Sequence, residues 1–248
     1  MQPIFLTARW EHLLMINYAV DPDVVAPFVP QGTEIDFWNG QTFISLVGFR
    51  FLDTKVKGWP IPFHRHFDEV NLRFYIKRTD GSEIKRAVGF IKEIVPKWAI
   101  AAVARWKYNE PYVALPMQSS VRIPTGNESG QLEYGWSDAS EKYSIAANIS
   151  GQPQPLTPHS EAEFIAEHYW GYTRQKDNST IEYQVEHPPW RVWEATDPVV
   201  RGDLVRFYGE PFADALRAQP SSCFVAEGSP IVVRQGRTIQ QTSMQDSV

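Results

Sequence analysis

Two tight turns set between alternating segments constrain this chain more than anything else in it. In EIDFWNGQTFISLVGF, Asn39-Gly40 separates two apolar runs rich in β-branched and aromatic residues. Asn-Gly readily takes the two left-handed conformations of a type I′ hairpin. Further on, EVNLRFYI alternates strictly. A strand therefore places Val70, Leu72, Phe74 and Ile76 on one face and Glu69, Asn71, Arg73 and Tyr75 on the other. RTDGSE follows, and its Asp80-Gly81 returns the chain as a second hairpin. Many short strands with few helices predict a mainly β chain, a β-rich α+β fold with antiparallel pairing, not a doubly wound parallel sheet.

Helices are predicted at three places. In DPDVVAPF, Asp21 is a cap and Pro22 the first helical residue. PKWAIAAVARWKY has helix-favouring alanines and should end by Glu110, because the residue before Pro111 avoids the α conformation. Ser160 with Glu163 makes a capping box ahead of EFIAEHYWGY, which predicts a helix over roughly 160–173. QLEYGW, KYSIAANIS, STIEYQVEH, LVRFYG and SPIVVRQG read as further strands. The Pro-rich break GQPQPLTP is too short to demand a boundary, so residues 1–240 are expected to form a single domain, with 241–248 a flexible tail.

Composition narrows the function classes. The chain has 248 residues, 43% hydrophobic and 13% aromatic, enough for a sizeable core. A net charge of −5 without a Lys/Arg cluster argues against nucleic acid. Cys223 is the one cysteine, so no internal disulfide can form and a reducing cytoplasm is the default. The apolar amino terminus is broken by Arg9, Glu11 and His12, short of the roughly 18 residues a membrane helix needs. No signal-peptide pattern, phosphate loop, dinucleotide fingerprint or nucleophile elbow appears, and no cofactor is indicated. His64 and His66 share a face of an extended segment, and His168 and His187 lie on later blocks. No third ligand stands at a recognisable spacing, so no metal is expected. His187 reads as a hydrogen-bonded core histidine. Homo-oligomerisation is left open.

Four blocks together, FDEVNLRFYIKR, ARWKYNEPYVALPM, EFIAEHYWGYT and EHPPWRVWEA, resemble a bacterial family of unknown function (domain of unknown function 2071) in the acetoacetate-decarboxylase-like superfamily. The similarity runs from Trp10 to about Val233. The link to the decarboxylases rests on Glu69, which ends an aromatic-x-Glu triplet, and on Arg105, six residues ahead of Pro111. The resemblance implies a large, strongly bent antiparallel sheet closed into a cone or barrel around a small-molecule pocket. In the decarboxylases that proline precedes two lysines, the first forming a Schiff base with the keto acid. Tyr112 and Val113 stand there in this chain, and neither can condense with a carbonyl. Lys107, five residues earlier, would point elsewhere on a helix.

The candidate ligand-binding residues are therefore Glu69, Asn71, Arg73, Arg105 and Tyr112, with Glu69 and Tyr112 as candidates for catalysis. On an inner face, Glu69 and Arg73 would pair and Arg73 would clamp a carboxylate through two hydrogen bonds. On an outer face, the same residues are an ordinary wet strand surface. Arg105 equally suits the carboxyl end of a helix, and Tyr112 equally suits core packing. Two functions stay open. One is a module binding a small anionic or amphipathic molecule, without covalent chemistry. The other is an enzyme acting on small oxo-acids or related carboxylates, with Glu69 as acid or base and Arg73 and Tyr112 stabilising negative charge.

Overall fold

Asn39 and Gly40 adopt φ values of 49° and 77°, and Trp38 and Gln41 exchange both backbone hydrogen bonds across them. That hairpin belongs to a computed structural model that describes residues 1–60, 63–96, 111–126 and 128–239. In the first half, β1 (Ile4–Val20) leads into a short helix, α1 (Pro22–Val25), where the Asp21 side chain accepts from the Asp23 N–H as its cap. Strands β2 (Glu34–Ile35), β3 (Thr42–Val56), β4 (Trp59–Pro60), β5 (Phe67–Asp80) and β6 (Glu83–Val95) follow. Then come β7 (Tyr112–Ala114), β8 (Met117–Arg122), β9 (Gly130–Ser137), β10 (Lys142–Ile149) and β11 (Gln154–Pro155). The rest comprises α2 (Glu161–Ala166), β12 (Trp170–Arg174), β13 (Thr180–Glu186), β14 (Arg191–Arg201), α3 (Leu204–Tyr208), α4 (Glu210–Arg217), β15 (Ser222–Arg234) and β16 (Arg237–Thr238).

Strand order closes a ring. β1 pairs with β3, β3 with β5, β5 with β6, β6 with β12, β12 with β13, β13 with β15, and β15 returns to β1. The closing pairs are Val185 with Val233 and Glu186 with Val232. An arm of β14, β10, β9 and β8 leaves the ring at β15. The sheet is strongly curved and mixed: β12 and β7 each run parallel to β6, whereas the other pairings are antiparallel. Bulges add the bend. His12, at φ 55°, sits where the β1–β3 register slips between Glu11 and Leu14, and its carbonyl accepts from Tyr134 Oη at 2.8 Å.

Both faces of the ring strands are buried, each in its own cluster. On β5, Val70, Leu72, Phe74 and Ile76 join Leu132, Tyr134 and Ile145 of the arm in one core. Fully burying such side chains contributes about 1.5–3 kcal/mol each. The opposite face, with Phe67 and Tyr75, joins a second core that also takes Leu13, Met15, Phe49 and Phe51. Neighbours along β1 thus face different cores, which explains the unbroken run Leu13-Leu14-Met15-Ile16. That run is a fully buried strand, invisible to a search for alternation.

Two expectations need correction. The helix predicted over 160–173 ends at Ala166, and Trp170–Arg174 is strand. The Ser160 cap forms, accepting from the Glu163 N–H, while Glu163 reaches back to the His159 N–H. Aromatic and β-branched residues at 169–173 then find strand partners in β13 and β6, and tertiary pairing overrides the helical start. LVRFYG is helix α3 and not a strand. Asp203 caps it, Gly209 at φ 87° ends it, and Leu204, Phe207 and Tyr208 follow helical spacing. The mainly antiparallel pairing expected of the sheet holds, with two parallel pairings to β6. The Ala-rich helix predicted to end near Glu110, Arg105, Lys107 and the tail 241–248 lie outside the described residues.

Candidate functional site

The second core is not filled. It surrounds a cavity of about 170 Å³, whose wall includes the aromatic side chains of Trp10, Phe49, Phe51, Phe90, Trp170 and Trp190. Glu69, Asn71 and Arg73 line it from β5 and Tyr112 from β7. The polar face of β5 is therefore interior: Glu69 is 2% exposed and Asn71 3%. Asn71 Nδ2 donates to Glu69 Oε1 at 3.0 Å, and Tyr112 Oη donates to Glu69 Oε2 at 3.3 Å. Glu93 stands beside them because its backbone pairs with Asn71 on one side and Tyr112 on the other.

Arg73 does not pair with Glu69. Its Nε donates to Tyr75 Oη at 3.3 Å, and its Nη2 to Ile165 O at 3.3 Å and Met15 Sδ at 3.7 Å. Residues four apart on a strand are separated by roughly 13 Å, so the two side chains would have to lean fully toward each other to meet. Among the described residues, no carboxylate lies within 4.0 Å of the guanidinium. Tyr75 is itself fixed, since it shares a 2.5 Å hydrogen bond with Ser45 Oγ, and Ser45 donates to Asn17 Oδ1 at 2.6 Å.

Several cavity-lining residues carry buried polar atoms with no protein partner among the described residues: Trp10 Nε1, Thr54 Oγ1, Asn71 Oδ1 and His168 Nδ1. Such atoms are rare in folded proteins, and these four border one space. His187 also lines the cavity, stacked on Trp190 with ring centroids 4.0 Å apart. Its Nδ1 lies 3.0 Å from Pro188 O, and burial pushes its pKa down to about 4. The expected core histidine is thus also part of the cavity wall. No cluster of three or more His, Cys, Asp or Glu able to hold a metal occurs among the described residues.

The sequence model of the domain of unknown function 2071 family, described as an uncharacterized conserved protein, matches residues 7–230. The chain belongs to that family. The uncharacterized protein YqjF of Bacillus subtilis (strain 168) is 25% identical over 187 residues, 75% of this chain and 74% of YqjF. In structure, the chain resembles acetoacetate decarboxylase of Legionella pneumophila, with TM-score 0.68 and 12% identity over 97% of this chain and 89% of that one. It also resembles the enduracididine biosynthesis enzyme MppR complexed with pyruvate, with TM-score 0.69 and 13% identity over 98% and 93%. At those identities the likeness shows the acetoacetate-decarboxylase-like fold, as the sequence blocks implied.

In this member of the 2071 family, no lysine among the described residues lines the cavity. Lys92, next to Glu93, faces the other core, where it donates to Phe207 O and lies over the Phe207 ring, and burial lowers its pKa. Glu93 escaped the sequence reading, and His168 entered it only as a histidine weighed for metal binding. Glu93 reaches the cavity because the β5–β6 register shifts between Leu72 and Arg73, which breaks the alternation linking it to Val88 and Phe90. His168 sat inside a predicted helix, and no local signal marks it.

Proposed function

We propose that the protein binds a small carboxylate with an apolar body inside its cone, without covalent chemistry by a lysine. The observation that carries this reading is Arg73, a guanidinium in the cavity wall whose partners among the described residues are all neutral. A cation held by neutral acceptors beside an aromatic space favours an anionic partner. Glu69, Asn71 and Tyr112 form the other polar wall and orient the ligand, and the aromatic side chains take its body. The cavity is small against the roughly 300–1,000 Å³ of drug-sized sites, so the ligand is small as well.

Calorimetric titration with phenylacetate and with phenylacetamide tests this. Phenylacetate should bind at least tenfold more tightly, and Arg73→Gln should remove that preference. Equal binding of both, or an unchanged preference in the variant, defeats the reading. A second reading, acid/base turnover of a small oxo-acid, is favoured by Glu69 and Glu93 standing with a phenol on neighbouring strands. Mass analysis after incubation with oxo-acids separates the two, since only the second yields products.

A further inference from the structure

One imidazole in the cavity wall is held in a single orientation with a nitrogen to spare. His168 lies between α2 and β12, is fully buried, and lines the cavity. Its ring packs against Tyr75 at 4.8 Å and Phe164 at 5.1 Å. Nε2 lies 3.3 Å from Asp36 Oδ2. Asp36 is 5% exposed, accepts from Arg86 Nε at 2.8 Å, and has Lys77 Nζ 3.8 Å from its other oxygen. Burial alone would raise the Asp36 pKa, but the bonds from His168 and Arg86 outweigh it and hold the carboxyl below its ordinary value.

An ionised carboxylate can only accept, so Nε2 carries the imidazole proton. Burial pushes the His168 pKa down to about 4, with Asp36 opposing and the charges of Arg86 and Arg73 adding to the fall. Near neutral pH the ring is uncharged, and Nδ1 presents a lone pair. That atom is buried and has no partner among the described residues. Leaving a buried acceptor unpaired is costly, so the site selects for a donor.

We infer that Asp36 and His168 form a ligand-reading dyad, in which Asp36 fixes the tautomer and His168 Nδ1 accepts a hydrogen bond from a hydroxyl or N–H of the bound molecule. The ligand class rests on the carboxylate reading above. Arg73 Cζ and the His168 ring lie 5.6 and 4.8 Å from the same Tyr75 ring, so both can reach one small molecule. The class is then a carboxylate bearing a hydroxyl or amide N–H a few bonds from the acid group.

Nitrogen-15 NMR of the histidine rings in the ligand-free protein is the first measurement. At pH 7 His168 should be neutral with its proton on Nε2, and a charged ring or an Nδ1 proton overturns the dyad whatever binds. Titrations with mandelate, phenylacetate and benzyl alcohol follow, because mandelate is phenylacetate with one added hydroxyl. Mandelate should bind at least tenfold more tightly than phenylacetate and shift the Nδ1 resonance. His168→Phe should bring the ratio to about one while phenylacetate still binds. Should phenylacetate bind through Arg73 with no gain from the hydroxyl, the dyad falls and the carboxylate reading stands. Should neither acid bind while benzyl alcohol moves Nδ1, the dyad stands and the carboxylate reading falls. A resonance that none of the three compounds moves overturns the dyad.

Discussion

Arg73 heads a chain of hydrogen bonds whose direction is fixed at every step. Ser222 donates to Glu161 Oε1 at 2.6 Å, Asn17 Nδ2 donates to Ser222 Oγ at 2.9 Å, and Ser45 donates to Asn17 Oδ1. Ser45 Oγ is thereby left to accept from Tyr75, whose oxygen accepts from Arg73 Nε. The positive end lies in the cavity and the negative end on α2, so aligned dipoles connect two charges that never touch. Glu69 is held instead by Asn71 and Tyr112. Arg73→Ala should therefore cost roughly 1.5–3 kcal/mol, the scale of lost hydrogen bonds from a charged group. Breaking a buried ion pair would cost about 3–5 kcal/mol. Urea unfolding distinguishes the two, and a loss in the larger range would mean that Arg73 compensates a buried carboxylate after all.

At the scale of elements, the shape of the ring depends on places where regular pairing is interrupted. His12 marks one in β1, and beside it Gly228 of β15, opposite Glu11, lets the two strands approach closely. Gly228 adopts φ 84°, and a Cβ there would run into the backbone carbonyl of Trp10. Backbone cannot yield as a side-chain tip can, and an L-residue is strained at that φ. Gly228→Ala should destabilise by more than about 2 kcal/mol, and it should disturb Trp10, a cavity-wall residue. Gly58 also has positive φ, 83°, but a Cβ there meets nothing, so Gly58→Ala is the control for conformational strain alone. Equal melting temperatures for the two variants would refute the close-approach argument.

Across the whole molecule, burial leaves the protein sensitive to acid. His168 and His187 titrate near 4 in the folded state against an ordinary value of 6.5. A lowered histidine pKa means that the unfolded chain binds the proton first. The stabilisation is thus complete above about pH 6.5 and is lost as pH falls toward 4. For His168, which faces Asp36, Arg86 and Arg73, that amounts to a few kcal/mol at most. Asp36, held below its ordinary pKa, adds to the loss at the acid end of the window. Denaturant midpoints at pH 7, 5.5 and 4.5 should fall progressively, and His168→Phe should flatten the slope. An unchanged slope in that variant would exclude His168 as a source of the acid sensitivity.

Much of this was legible in the residues alone, wherever local geometry is decisive. The Asn39-Gly40 turn, the caps at Asp21 and Ser160, and the shared face of Glu69, Asn71 and Arg73 follow from backbone sterics and from a side-chain period of two. Those rules hold whatever the chain packs against. The blocks around Glu69 and Pro111 carried the family and, through it, the curved sheet. What each β5 face meets is a different kind of question, because alternation describes a wet face and a cavity wall identically. Only closure of the ring between β13 and β15, with the arm of β8, β9, β10 and β14 covering the outside, put that polar face indoors. The same holds for Glu93, brought in by a register shift, and for Asp36 with His168, which are 132 residues apart in sequence. Contacts at that separation are set by which strands pair and in what register, a choice made by the packing of the whole sheet.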